Sequence, residues 1–263
     1  MALTLSRRVC EAQSVRVLVT GASSGIGEAF ARWHAAQGHH VVLAARNQSE
    51  LERVAQDIVR AGSSAEVIVA DLSSRTGVEL LGERCGAVDV LVANAGVTLA
   101  ATIGTTNRDT LDEVGYLMSA GVVRLCEIIV PRMIAAGGGD VVIVSSIAAF
   151  TPMRKAGPYA AAKSAATAYA RSLALEVAAK GVRVVAVCPG YVHTDLHRRA
   201  QLEHLVRKVP GWMWLEPEDV VAATQRALLR HKTVVVPGAV YRLVRPFLAS
   251  SLAQGVWRRM TRR

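Results

Sequence analysis

Cysteine is scarce in this chain, and the four present stand far apart. Cys10, Cys85, Cys126 and Cys188 form no CxxC pair and no cluster with histidine. That spacing excludes a structural zinc site and a disulfide framework, and it fits a reducing, cytoplasmic setting. Aromatic residues make up only 5% of the chain, and the body shows no stripe of basic residues interleaved with them. Nucleic acid is therefore not an expected partner. Arg7 and Arg8 are not followed by an uninterrupted apolar stretch with a cleavage site, so no signal peptide is read. Runs of about 20 uncharged apolar residues, the length of a membrane span, are missing too. Acids are absent from one region: from Val240 onward stand Arg242, Arg245, Arg258, Arg259, Arg262 and Arg263, with no Asp or Glu. More than half of the net charge of +10 thus belongs to that segment, and the body is only mildly basic.

What the chain does contain is a regular alternation. Short Val/Ile/Leu runs at Val15–Thr20, His40–Ala45, Ala65–Ala70, Val88–Ala93, Asp140–Ser145, Val182–Val187 and Thr233–Val236 read as strands. They are apolar almost throughout, as parallel strands covered on both faces are. Between them, Gly25–Gln37, Gln48–Ala61, Ser73–Cys85, Arg108–Ala136, Pro158–Lys180 and Pro217–Arg230 read as helices. The expected fold class is α/β: a single Rossmann-type, doubly wound parallel sheet of about seven strands with helices on both faces. Residues 1–239 form that domain, with an irregular stretch over 191–216 too long for an ordinary connection. Residues 240–263 form a basic amphipathic tail.

The first strand runs into Thr20-Gly21-Ala22-Ser23-Ser24-Gly25-Ile26-Gly27, and a helix follows. Glycines at 21, 25 and 27 let the backbone turn sharply and approach a pyrophosphate, while the N–H groups of the helix start face the phosphates. The second strand ends Ala45-Arg46-Asn47. An NAD-selective site places an acid here for the ribose hydroxyls; a guanidinium instead pairs with a 2′-phosphate. NADP(H) is favoured over NAD(H), the other reading of Arg46 being a solvated surface charge. Asp71-Leu72 and Asn94-Ala95-Gly96 close the third and fourth strands at the same end, beside adenine and adenosine ribose.

Tyr159 and Lys163 lie four apart on a helix and share a face. A phenol is a poor base near neutral pH, and a neighbouring ammonium favours the phenolate. Tyr159 then donates a proton in reduction or accepts one in oxidation. Ser146, at the end of the fifth strand, is placed to hydrogen-bond the substrate oxygen.

Taken together, TGASSGIG (Thr20–Gly27), NAG (Asn94–Gly96), the Ser146–Tyr159 spacing, YxxxK (Tyr159–Lys163) and Pro189-Gly190 with Thr194 resemble the short-chain dehydrogenase/reductase family, over about Val15 to Pro237. The resemblance implies that Lys163 also holds the nicotinamide ribose, and that Val192 and Thr194 grip the carboxamide. It further implies a homodimer or homotetramer built on the two long helices. One position departs from the family pattern. Counting thirteen back from Pro131 reaches Met118, where the family carries an asparagine. A thioether cannot donate a hydrogen bond, so Ser119 or backbone groups replace the asparagine, or turnover is slowed, or the alignment slips.

The expected activity is interconversion of a carbonyl and a secondary alcohol on an apolar substrate: a lipid, a 3-oxoacyl group or a steroid-like molecule. Trp212 and Trp214 are candidate substrate contacts; the other reading packs them on the core or a neighbouring subunit. His193 and His197 have no metal-like partner set. In the tail, Val240, Val244, Leu248, Leu252 and Val256 recur at helical spacing, with Pro246 expected to limit the helix upstream. Such a face suits either peripheral contact with an anionic membrane or docking against protein. The alternative function, a cofactor-binding regulator or scaffold with weak or no catalysis, has Met118 as its only support. A lyase or epimerase using the same cofactor transiently is a third class.

Overall fold

The structure, a computed structural model, describes residues 15–99, 102–151, 155–194 and 209–248, the side chains of 244–248 excepted. The strands are β1 (Arg16–Thr20), β2 (His40–Ala45), β3 (Ser64–Val69), β4 (Val90–Ala93), β5 (Gly139–Val144), β6 (Val182–Val187) and β7 (Val234–Val235). They form one seven-stranded sheet in the order β3-β2-β1-β4-β5-β6-β7, parallel at every pairing.

Alternation within each strand builds two cores. Leu18, Val42, Ile68, Leu91, Val141, Ile143 and Val184 face one layer. Val17, Val19, Val41, Leu43, Val92, Val142 and Val185 face the other. The first layer holds α3 (Arg75–Arg84), α5 (Gly121–Ala135) and α6 (Gly157–Val177), the second α1 (Gly25–Ala36), α2 (Gln48–Arg60) and α7 (Pro217–Leu229). Successive side chains on a strand point to opposite faces, so an unbroken apolar run is what two covered faces require. The strand order reverses between β1 and β4, which opens a crevice at the carboxyl ends of those strands.

The expected single helix Arg108–Ala136 is not continuous in type. It comprises α4 (Arg108–Gly115), a π-helical turn Tyr116–Ala120, and α5. Glycine at 121 admits the wider turn, because a Cβ there would lie 2.9 Å from the Tyr116 carbonyl oxygen. The run Arg108–Ala135 has the length and hydropathy of a membrane span. Its residues Leu125, Cys126, Ile129, Val130 and Met133 are buried in the first core, however, and it packs as a core helix. The expected helix to Lys180 turns 3-10 over Ala178–Lys180 and stops at Gly181, with φ of 78°. Finally, α8 (Ala239–Leu248) runs through Pro246 rather than breaking before it. Cys85, Cys126 and Cys188 are buried, and no His/Cys/Asp/Glu cluster fit for a metal occurs among the described residues. Cys10, His197, Leu252 and Val256, with the rest of the tail beyond Leu248, lie outside those residues.

Candidate active site

The glycine loop closes directly on β1. Gly21 and Gly25 have φ of 64° and 57°, the left-handed region that side-chain-bearing residues avoid. The space a Cβ would take is already filled. At Gly21 it would sit 2.9 Å from Ala95 Cα, at Gly25 2.8 Å from Thr194 Cγ2, and at Gly27 2.2 Å from the Gly21 carbonyl oxygen. The loop is thereby pressed against the ends of both β4 and β6. Ser24 is the N-cap of α1 but makes no capping bond through its side chain, so the first turn offers its N–H groups outward, toward an anion. Ser23 is buried and Ile26 partly so. This cradle fits a dinucleotide pyrophosphate.

The other strand ends contribute unequally. Arg46, past β2, is exposed and pairs with no acid among the described residues. Asn47 is occupied as the N-cap of α2, its Oδ1 accepting from Glu50 N at 3.3 Å. Asp71 Oδ1 accepts from Ser73 N and Oγ at 3.1 and 2.9 Å, and Leu72 is a core residue. Asn94 faces inward and ties the loop down: its Nδ2 donates to the carbonyls of Thr20 and Gly21 at 2.9 and 3.2 Å. Thr20, to which the sequence reading assigned no role, is the hub of this corner. Its hydroxyl accepts from the backbone N–H groups of Asn94 and Ala95 at 2.9 and 3.0 Å. A hydroxyl immediately before a glycine loop was the available signal.

Across the crevice, Ser146 caps a short 3-10 turn, its Oγ accepting from Ala148 N at 3.2 Å. The same hydroxyl is hydrogen-bonded to that of Tyr159. Lys163 is 5% exposed; its Nζ donates to the Val144 carbonyl at 2.8 Å and lies 5.9 Å from the Tyr159 ring centroid. Ser145 and Thr167 brace the helix turn behind it: both hydroxyls reach the Lys163 carbonyl at 2.9 Å and lie 2.7 Å apart. A family model for short chain dehydrogenases matches residues 15–204, a span holding all of these groups.

The chain belongs to the short-chain dehydrogenase/reductase family. Dehydrogenase/reductase SDR family member 4 from Oryctolagus cuniculus is 30% identical over 237 residues, covering 84% of this chain and 91% of that protein. A short-chain dehydrogenase from Sphingobium yanoikuyae, solved in complex with NADPH, superposes with a TM-score of 0.81 at 26% identity, covering 93% and 95% of the two chains. A putative NAD(P)-dependent gluconate 5-dehydrogenase from Beutenbergia cavernae, with NADP bound, gives 0.76 at 32% identity, covering 86% and 96%.

Within this short-chain dehydrogenase/reductase frame, Met118 lies at the site and not beside it. It is 1% exposed, in the π-helical turn. A Cβ built on Gly96 would lie 3.4 Å from Lys163 Nζ and 3.5 Å from Met118 Sδ, so thioether and ammonium close around the same glycine. π-Helical turns recur where a helix side chain is aimed at a site.

The titration of the pair differs from the sequence expectation. Burial pushes the Tyr159 phenol up, and the Ser146 hydrogen bond offsets this only in part. Lys163 is drawn down to about 8 by burial. The ammonium spends a hydrogen bond on Val144 and is separated from the phenol, so desolvation outweighs attraction.

The Pro189–Thr194 segment follows β6. Pro189 and Val192 are buried, Gly190, Tyr191 and Thr194 partly so, and His193 is exposed. Only the ends of the irregular stretch 191–216 fall within the described residues. There the two tryptophans part company: Trp214 stacks on His193 at 4.6 Å and lies 5.5 Å from Tyr191, whereas Trp212 is 67% exposed. Trp214 thus rests on two neighbours of its own region, and Trp212 is turned to solvent.

Proposed function

We propose that this protein is an NADP(H)-dependent oxidoreductase that interconverts a carbonyl and a secondary alcohol on an apolar substrate of the lipid, 3-oxoacyl or steroid-like kind. The observation carrying the reading is the hydrogen-bonded Ser146–Tyr159 pair beside a buried Lys163, across the crevice from the glycine loop. Gly21 to Gly27 hold the pyrophosphate, Arg46 the 2′-phosphate, and Asp71, Asn94, Ala95, Lys163, Val192 and Thr194 the remainder of the cofactor. Bound there, the nicotinamide supplies or accepts the hydride. Ser146 orients the substrate oxygen, Tyr159 passes it a proton, and Lys163 stabilises the phenolate so formed. The NADP preference rests on Arg46, which is exposed and pairs with no acid among the described residues, and on the NADPH- and NADP-bound relatives. Exposed Trp212 supports an apolar substrate.

A screen of ketones, aldehydes and secondary alcohols by NADPH absorbance tests this directly. Stoichiometric consumption supports it, and absence of turnover in folded, NADPH-binding protein overturns it. The second reading, a cofactor-binding regulator, is favoured by Met118 beside Lys163; binding without consumption is its signature. An epimerase or lyase would convert substrate with no net change in NADPH.

The pH profile carries a sign. Tyr159 is held above its ordinary value and stays protonated through the neutral range, which suits proton donation. Lys163 is charged below about 8 and loses that charge above it, taking away support for the forming phenolate. The kcat for carbonyl reduction at saturating NADPH is therefore expected to fall as pH rises through about 8, while alcohol oxidation rises toward alkaline pH. A reduction rate level across that range counts against the assignment of Lys163.

We also propose a cytoplasmic protein that touches anionic membrane through its tail, and an oligomer formed through the long helices, where Leu175 is 85% exposed. Leu243 and Arg242 are exposed on α8, and the tail is acid-free. In flotation with phosphatidylserine vesicles the full chain is expected to rise and a chain ending at Val236, which lacks the whole tail, to stay below. Equal behaviour overturns the membrane contact.

A further inference from the structure

We infer that Tyr241, on the C-terminal helix α8, is a positioning residue for the Pro189–Thr194 segment, and so for cofactor binding. The inference rests on the role proposed above for Val192 and Thr194.

The helix is not a free appendage at this point. Tyr241 is 5% exposed and belongs to the first core. Its hydroxyl is used twice, accepting from Tyr191 N at 3.0 Å and donating to the Met213 carbonyl at 2.7 Å. Its ring lies flat against Gly190, where a Cβ would fall 2.0 to 2.3 Å from Cζ, Cε1 and Cε2. Residue 190 is thus glycine because an aromatic ring occupies its side-chain space.

The segment held in this way leaves the seven-stranded sheet after β6; the Pro189 carbonyl accepts from Ile147 N at 2.9 Å, and Val192 pairs with Leu215. His193 N donates to the Leu215 carbonyl at 2.9 Å, and Leu215 N donates to that of Tyr191 at 3.0 Å. The phenol ties off both arms of this pairing, at Tyr191 and at Met213. From there the connection runs to the glycine loop, because Thr194 packs onto Gly25. A residue on the last described helix therefore sets where the carboxamide-side backbone meets the phosphate-side loop.

Tyr241→Phe tests it in the full-length chain. The ring keeps its place on Gly190, while Tyr191 N–H and the Met213 carbonyl lose their partner. Two lost hydrogen bonds predict an NADPH Kd raised about tenfold. At saturating NADPH, kcat is expected to stay within about threefold, since Ser146, Tyr159 and Lys163 are untouched and about one bond's worth is the most that reaches them. An unchanged Kd in folded variant overturns the inference. So does a proportional collapse of Kd, kcat and melting temperature, which would mark a merely structural tyrosine. Wild type that binds neither NADPH nor NADH overturns the oxidoreductase reading and this one with it, whereas wild-type binding with an unaltered variant overturns this one alone. Should the variant fail to fold, hydrogen exchange on the unaltered protein decides. The Tyr191 amide is expected to exchange as slowly as its neighbours in α8, and rapid exchange there overturns the tether.

Discussion

Replacing Tyr159 with phenylalanine is expected to cut kcat by about a hundred- to ten-thousandfold, the range contributed by a positioned acid–base group, while the NADPH Kd changes little. Phenylalanine keeps the ring's volume, so the packing on Val114, Met118 and Ala162 survives. Ser146 retains its bond to Ala148 N and Lys163 its bond to Val144. Only the hydroxyl goes, and with it the proton that must reach the substrate oxygen. Single-turnover absorbance at saturating NADPH measures the rate, and quenching of cofactor fluorescence measures the Kd. Turnover within a few-fold of the wild type would remove Tyr159 from the chemistry. A parallel loss of NADPH binding would show the substitution acting through structure instead.

Arg46→Asp is expected to weaken NADPH about ten- to a hundredfold, since a charge-assisted bond to phosphate contributes about 1.5–3 kcal/mol and the aspartate adds repulsion. NADH affinity is expected to hold or improve, because a carboxylate at the end of β2 can accept from the ribose hydroxyls. The fold tolerates the change: Arg46 is exposed and pairs with no acid among the described residues, and capping of α2 belongs to Asn47. Because the contact is solvent-facing, the NADPH preference should also shrink as salt rises. Equal weakening of both nucleotides would return Arg46 to the status of a surface charge.

Much of this could be read along the chain. A strand buried on both faces must be apolar throughout, so β1, β2, β5 and β6 announce themselves within a residue of their ends. A loop that touches a phosphate must be glycine-rich where strand becomes helix, and residues four apart on a helix share a face. These are local rules, and they mark Gly21–Gly27, Tyr159 and Lys163 as candidates before any contact is known, Ser146 joining them by its place at the end of a strand. The π-helical turn at Tyr116–Ala120 was not legible, because 3.6-residue periodicity looks the same on either side of a single wide turn. Nor was the upward shift of Tyr159: a lysine one turn away argues for the opposite sign until burial and the competing Val144 carbonyl are known.

Local pattern thus determined the alternation of strands and helices, the glycine-rich turn after β1 and the shared helix face of Tyr159 and Lys163, since each depends on the conformation of a few adjacent residues. Tertiary structure alone decided that Met118 and Lys163 both close on Gly96, that Trp214 packs against His193 while Trp212 faces outward, and that Tyr241 reaches back to Tyr191 and Met213. Those relations join segments tens of residues apart, and only the folding of the sheet and its layers brings their side chains within reach.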